Sequence, residues 1–289
     1  MNPPKQAAER RSLPAGLYLI STPIGAARDI TLRALDTLAS ADVLAAEDTR
    51  TLRHLMEIHG IAVGDRPLVA CHEHNERDVT ARLLAAVAEG RSVAYASEAG
   101  TPLVSDPGFQ LARAAIADGL SVIAAPGASA VLCALTVAGL PTDRFMFAGF
   151  APSAATARRK FLQELAQVPA TLVLYESPKR VNQLLEDLSQ IMGEGRYAAV
   201  CRELTKRFEE VVRGSLGDLA RQFAERDVKG EIVVLVDRAG EAAADAETVE
   251  AALERALGEM SVKDAAAVVA EAFGLPKRDV YQMALKRSQ

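Results

Sequence analysis

The sequence predicts an α/β protein with two α/β lobes and a small helical module at the C-terminal end. Three observations predict it. Short apolar runs alternate with segments of helical periodicity through residues 1–125, the pattern of parallel strands joined by crossover helices. Strand-like runs then crowd together over residues 126–240. Over residues 241–289, a small acidic stretch is followed only by helical patterns. The expected divisions are therefore 1–125, 126–240 and 241–289.

In the first lobe the strand candidates are "GLYLIST" from Gly16, "VLAAED" from Val43, "LVACHE" from Leu68, "SVAYAS" from Ser92 and "SVIAAP" from Ser121. Helical segments such as "TLRALDTLASA" from Thr31 and "DVTARLLAAVAEG" from Asp78 lie between them. In the second of these, Val79, Leu83, Leu84 and Val87 recur at helical spacing and Gly90 is the stop signal. The second lobe offers Arg144–Phe150, Thr171–Ser177, Tyr197–Leu204, Glu210–Leu216 and Glu231–Arg238. Short connections between the last three predict hairpins and a mixed sheet. "AGEAAADAET", Ala239–Thr248, reads as a linker. In the tail, Ser261 is an N-cap with Asp264 three residues on, Gly274 stops the helix and Pro276 starts another. Two helices about a glycine turn form a helix-turn-helix pattern.

The 289 residues, 49% apolar and 25% charged, supply a full core. A net charge of −5 excludes binding to nucleic acid by bulk charge alone, so any such contact needs local basic clusters. Cys71, Cys133 and Cys201 are odd in number and far apart, which argues against a disulfide framework or a zinc site and fits a reducing cytoplasm. The most apolar stretch, Val122–Leu140, is broken by Pro126 and Gly127, so it reads as strand, turn and helix rather than a membrane span.

Polar, glycine- and proline-rich loops follow several of the strands. "STPIGAARD" (Ser21–Asp29) contains neither the glycine fingerprint of a dinucleotide fold nor a phosphate loop. Its local reading is a Pro-Gly turn before a helix capped by Asp29. "ASEAGTPLVSDPG" (Ala96–Gly108) is long for a connection, which marks it as functional. Asp106, taken alone, suits capping of the next helix. "APGASA" (Ala125–Ala130) is a third such turn. Ligands of open α/β sheets collect at the carboxyl ends of strands, so these loops favour a cleft. "AAEDTR" and "CHEHNE" add Glu47, Asp48, Arg50, His72, Glu73 and His74 at two more strand ends. No third metal ligand stands at a telling distance from the two histidines, so no metal is expected. Basic residues cluster at Arg158–Lys160, at Lys179 and Arg180, at Arg202, Lys206 and Arg207, and in the tail at Lys277, Arg278, Lys286 and Arg287. Each is a solvated face by default, and together they offer a phosphate-binding track.

The ordered set "TPIG…D", "AAEDTR", "HEHNE", "SEAGTPLVSDPG", "PGASA", "GLPTDRFMFAGF", "YESPKR", "RELTKRFEE" and "GEIVVLV" resembles the tetrapyrrole methylase superfamily. More narrowly it resembles the ribosomal branch, whose members methylate a ribose of 16S rRNA. The resemblance runs from Gly16 to Val236, and the helical tail resembles that branch's C-terminal extension. It implies S-adenosylmethionine in a cleft between two α/β lobes, methyl transfer to the 2′-hydroxyl of a cytidine in the decoding region of 16S rRNA, and a homodimer. Two positions depart from the family pattern: Ala26 replaces an Asn, and Glu98 replaces an Asp.

On that reading the cofactor residues are Thr22, Pro23, Glu98, Gly100, Thr101, Asp106, Ser129 and Ala130. The long loop would wrap the methionine and sulfonium end, where nearby acids suit a cation. Candidates for the base that accepts the hydroxyl proton are Glu47, Asp48, His72 and Glu73. Asp48, Arg50, His72 and Glu73 are expected to converge beside the methyl donor, with helix capping as the alternative. Arg50, Lys179, Arg180, Lys206 and Arg207 are the candidates for holding RNA. The rival functions are a tetrapyrrole or other small-molecule methyltransferase of the same superfamily, and a non-catalytic RNA-binding assembly factor.

Overall fold

A computed structural model describes residues 11–72, 75–239 and 246–287. Glu73 and His74 therefore lie outside the described residues, as do the side chains of Lys286 and Arg287.

The chain opens with β1 (Gly16–Ile20), α1 (Leu32–Ser40), β2 (Val43–Ala46), α2 (Thr49–Ile58), β3 (Leu68–Ala70), α3 (Glu76–Ala88), β4 (Ser92–Ala96), α4 (Phe109–Ala117) and β5 (Val122–Ala125). The strands form a five-stranded sheet in the order β3-β2-β4-β1-β5, and every pairing is parallel. Helices cover both faces, which is why β2 and β4 are buried along their whole length and apolar except at Ser92. One face packs Leu35, Leu38, Leu52 and Met56, the other Leu83, Val87, Leu111 and Ala115. Parallel pairing puts the carboxyl ends of all five strands on one edge.

After β5 the chain crosses to a second five-stranded sheet, ordered β6-β7-β10-β8-β9. Its elements are α5 (Ala130–Ala138), β6 (Phe145–Phe150), α6 (Ala155–Leu165), β7 (Thr171–Glu176), α7 (Val181–Met192), β8 (Tyr197–Arg202), β9 (Glu210–Ser215), α8 (Leu216–Ala224) and β10 (Ile232–Val236). The sheet is mixed: β6 and β7 are parallel, the other pairs antiparallel. Only one of the expected hairpins forms, β8 with β9. The amphipathic helix α8 stands between β9 and β10, capped by Ser215 Oγ accepting from Asp218 N at 3.1 Å. It carries β10 back to the middle of the sheet, between β7 and β8. Ile24, from the loop after β1, packs with Val131, Leu135, Val173 and Leu235 in one core, which ties the two sheets together.

Two compact units result: one carries β1 to β10, the other the short segment Ala166–Ala170 and the C-terminal helices. The second unit contains α9 (Ala246–Glu259), α10 (Val262–Ala272) and α11 (Lys277–Arg287). Of the expected linker, residues 240–245 lie outside the described residues and 246–248 are already helical. Ser261 caps α10, accepting from Asp264 N at 3.3 Å and donating to its carboxylate at 2.6 Å. The three helices close on Val249, Leu253, Ala266, Val269, Val280 and Ala284. No described helix is long and apolar enough to cross a membrane.

Candidate functional site

A cleft of about 370 Å³ opens where the carboxyl edge of the first sheet faces the second. That volume is in the range of small-molecule sites. The loop after β4 contributes Gly100, Thr101, Val104 and Asp106, and the turn after β5 contributes Ser129 and Ala130. Apolar walls come from Ile24, Phe150, Tyr175, Leu204, Ile232 and Val233. Tyr175 is braced edge-on by Phe147 and Phe150, with ring centroids at 4.8 and 5.6 Å.

The loop after β4 is held by the loop after β1. Thr22 N donates to Gly100 O at 2.9 Å, and Gly100 N donates back to Thr22 O at 3.1 Å. Thr22 is buried, and its hydroxyl lies 3.2 Å from Ser97 O. Thr101 Oγ1 donates to Ala128 O at 3.0 Å, fixing the turn after β5 as well. Gly100 has φ +80°, and a Cβ there would stand 3.2 Å from the Ile24 side chain. At Gly108, φ is +102° and a Cβ would lie 2.8 Å from the Tyr95 ring. Leu103 (φ 69°) and Ser105 (φ 60°) are left-handed although neither is glycine. Such strain gathers at functional loops.

Asp106 does not cap α4 as its local sequence proposes: the N-cap is Gly108. Its Oδ2 is buried and finds no hydrogen-bond partner among the described residues. Burial, with Glu47 and Glu98 nearby, pushes its pKa up to about 7. Close by, the wholly buried Tyr95 has a hydroxyl that also finds no partner among the described residues, and burial raises its pKa. The capping of α4 falls to a residue far away in sequence. Glu76, the first residue of α3, accepts from Gln110 N at 2.9 Å and Leu111 N at 3.1 Å. The "CHEHNE" stretch hides this because Glu76 itself reads as an ordinary first-turn acid.

Of the expected cofactor residues, Gly100, Thr101, Asp106, Ser129 and Ala130 line the cleft. Thr22 supports it from behind. Pro23 is half-buried and Glu98 exposed, and neither is part of the lining. Glu47 stands near enough to raise Asp106. Asp48 takes the capping alternative: its Oδ1 accepts from Arg50 N at 2.8 Å, and Arg50 Nη2 meets Oδ2 at 2.7 Å. These bonds hold its carboxyl down at about 2, so it is a weak base at neutral pH. His72 N donates to Asn75 Oδ1 at 2.8 Å, and Asn75 Nδ2 reaches Ala70 O at 3.0 Å, closing the turn before α3. Likewise, Asp29 caps nothing: it ends a single 3₁₀ turn, and Thr31 caps α1, accepting from Ala34 N at 3.2 Å.

The basic residues divide in the same way. Lys179 and Arg207 are exposed. Arg180 is bound to Glu176 at 2.8 Å and donates to Ala151 O at 2.6 Å. Lys206 bridges Glu203 at 3.0 Å and Glu231 at 2.8 Å. Arg158 is buried against Asp187 at 2.7 Å, with Arg159 on the other oxygen at 2.8 Å, so this pair braces α6 on α7. A sequence cannot distinguish such a brace from a solvated cluster. Replacing Asp48 with Ala is expected to lower the melting temperature by a few degrees and leave methyl transfer near wild type. Transfer lost in a folded Asp48→Ala protein would put that carboxylate at the reacting atoms instead.

The cleft fits the S-adenosylmethionine that the sequence resemblance implies. Its apolar walls suit a purine, its glycine and hydroxyl edges suit a polar amino-acid end, and an orphaned carboxyl oxygen suits a cation.

Comparison with known proteins agrees with this geometry. Residues 16–220 match the model of the family described as Tetrapyrrole (Corrin/Porphyrin) Methylases. Residues 242–288 match the RsmI C-terminal HTH domain. Ribosomal RNA small subunit methyltransferase I of Mesorhizobium japonicum is 46% identical over 96% of this chain and 93% of its own. The protein of the same name from Halalkalibacterium halodurans is 41% identical over 96% of this chain and 98% of its own. Among solved structures, a uroporphyrin-III C-methyltransferase from Thermus thermophilus superposes with a TM-score of 0.55 at 25% identity, covering 78% of this chain and 95% of its own. The chain belongs to the tetrapyrrole methylase family.

Proposed function

We propose that the protein transfers a methyl group from S-adenosylmethionine to the 2′-hydroxyl of a cytidine in the decoding region of 16S rRNA. The observation that carries this reading is the relatives' coverage. Proteins named for ribosomal RNA small subunit methylation align with more than nine-tenths of this chain and of themselves. A small-molecule enzyme with the same fold aligns with 78%. That difference favours RNA over the rival tetrapyrrole substrate. The lined cleft favours an enzyme over a binding-only assembly factor.

When bound, S-adenosylmethionine supplies a methyl group on a sulfonium, an electrophile that needs alignment more than activation. The loop after β4 and the turn after β5 supply that alignment, using backbone groups that Thr22 and Thr101 hold in place. Positioning of this kind contributes on the order of 7 kcal/mol in good cases. We assign Asp106 a double role. Beside a cation it is ionised and balances the charge. As the methyl group leaves the sulfur, the Asp106 carboxylate would accept the proton released by the ribose hydroxyl. A carboxyl whose pKa sits at about 7 without ligand is matched to that task at neutral pH. Glu47, which stands near Asp106, is a second candidate for that proton, and Lys179 is an exposed candidate for a phosphate contact.

The setting on this reading is the cytoplasm, and the active form is a homodimer. A groove between α5 and β6 supports the dimer: of its lining residues, Leu132 is 54% exposed and Phe145 44%. A Phe145→Glu protein is expected to run as a monomer in light scattering. A dimer of unchanged stability would move the interface elsewhere.

The helical tail is read as a second RNA grip, with Lys277 and Arg278 exposed on α11. Chain cut after Arg238 is expected to keep cofactor affinity within twofold and to bind small subunits about tenfold more weakly. Equal RNA affinity in cut and full-length proteins would remove the tail from recognition.

Mapping of 2′-O-methyl groups on 16S rRNA, with and without the gene, tests the function itself.

A further inference from the structure

The connection between β8 and β9 is built more stiffly than a hairpin needs. Glu203 (φ 52°) and Thr205 (φ 64°) are both left-handed without being glycine. Lys206 N donates to Glu203 O at 2.9 Å and Glu209 N to Lys206 O at 3.2 Å. Thr205 N donates to the Glu209 carboxylate at 2.6 Å. The Lys206 ammonium is clamped between Glu203 and Glu231, and Thr205 Oγ1 accepts from Ala26 N of the first lobe at 3.1 Å. Glu210 closes the base with Arg202 and Arg226.

These braces hold up two side chains that take part in none of them, Arg207 and Phe208. Phe208 is 62% exposed. Arg207 lies over its ring, 5.5 Å from the centroid, within cation–π range. Among the described residues no carboxylate pairs with Arg207. A lone exposed Phe is unremarkable on a protein surface. Here it sits on a strained, cross-braced turn four residues from Leu204, which lines the cleft, and its turn is clamped to Glu231, which also lines it.

We propose that Phe208 and Arg207, on the turn whose Leu204 lines the cleft, form a stacking platform for an unpaired base of the RNA substrate. The inference rests on the reading of that substrate as ribosomal RNA. A base that leaves its own stack to expose a ribose hydroxyl loses its neighbours, and an aromatic face with a guanidinium beside it replaces them. The rigid turn means that the platform is ordered before RNA arrives. Lys206 and Arg180, whose charges are already answered by carboxylates, are not needed for this contact.

The test is steady-state methyl transfer to unmethylated small ribosomal subunits by wild-type, Phe208→Ala and Phe208→Trp proteins. Cofactor affinity and oligomeric state are measured on each. Phe208→Ala is expected to raise KM for subunits about tenfold, with kcat at saturation within twofold and cofactor affinity unchanged. Phe208→Trp is expected to restore KM, since a larger aromatic face stacks as well. KM within twofold of wild type in Phe208→Ala overturns the platform. So does a Phe208→Trp protein as impaired as the Ala variant, or a Phe208→Ala protein whose defect accompanies lost cofactor binding or a changed oligomeric state. Wild-type protein that transfers no methyl to small subunits overturns the functional reading and the platform together.

Discussion

Asp106→Asn is expected to lose methyl transfer by a factor of about 100 or more, the usual worth of a positioned acid–base group, while melting at a higher temperature than wild type. The two effects share one cause. Asp106 is a carboxyl pushed up to about 7 by burial and by Glu47 and Glu98. Its folded pKa lies above the unfolded value of ~3.9. Its contribution to stability is therefore fully present below about pH 4 and is lost as pH rises through 7. Asn carries no such loss, so ligand-free Asp106→Asn is expected to be more stable than wild type at pH 8, and the gain disappears toward pH 4. Affinity for a cationic ligand has the opposite sense: it falls in wild type as pH drops below 7, because the proton must leave first. Melting curves and titration calorimetry at pH 5, 7 and 8 read both. A variant that is inactive but no more stable at pH 8 would mean that the carboxyl is already compensated in the free protein.

Gly100→Val is expected to weaken S-adenosylmethionine binding tenfold or more. Valine at φ +80° is strained, and its Cβ would press on Ile24 at 3.2 Å. Relief of that strain moves the segment whose N–H and C=O pair with Thr22, so the whole loop after β4 shifts with it. Circular dichroism separates a shifted loop from a failed fold. Unchanged affinity in a folded Gly100→Val protein would take this loop out of the cofactor site.

Much of this was legible in the sequence because it depends on local pattern. Strands β1, β2, β4 and β5 stand out as apolar runs followed by polar loops, and parallel pairing alone brings those loops to one edge. The tail was legible from Ser261, Asp264, Gly274 and Pro276, whose roles are settled within a few residues. What stayed hidden depends on contacts between distant residues. Asp106 next to Pro107 has the composition of a helix cap, and only the approach of Glu76 to Gln110 and Leu111 shows that the cap is already supplied. Arg158 reads as a surface charge until Asp187 buries it. The path of β10 into the middle of the second sheet is set by α8, and short spacing suggested hairpins instead. Asp48 shows the converse: its local reading as a cap was the one that the side chain adopts.

Mapping of 2′-O-methylation on 16S rRNA in a strain lacking the gene, complemented with either the wild-type or the Asp106→Asn chain, tests function and site together. One cytidine in the decoding region is expected to lose its 2′-O-methyl group in the deletion, to regain it with wild type and to stay unmodified with Asp106→Asn. An unchanged methylation map in the deletion strain would contradict the function, and full methylation by Asp106→Asn would contradict the site.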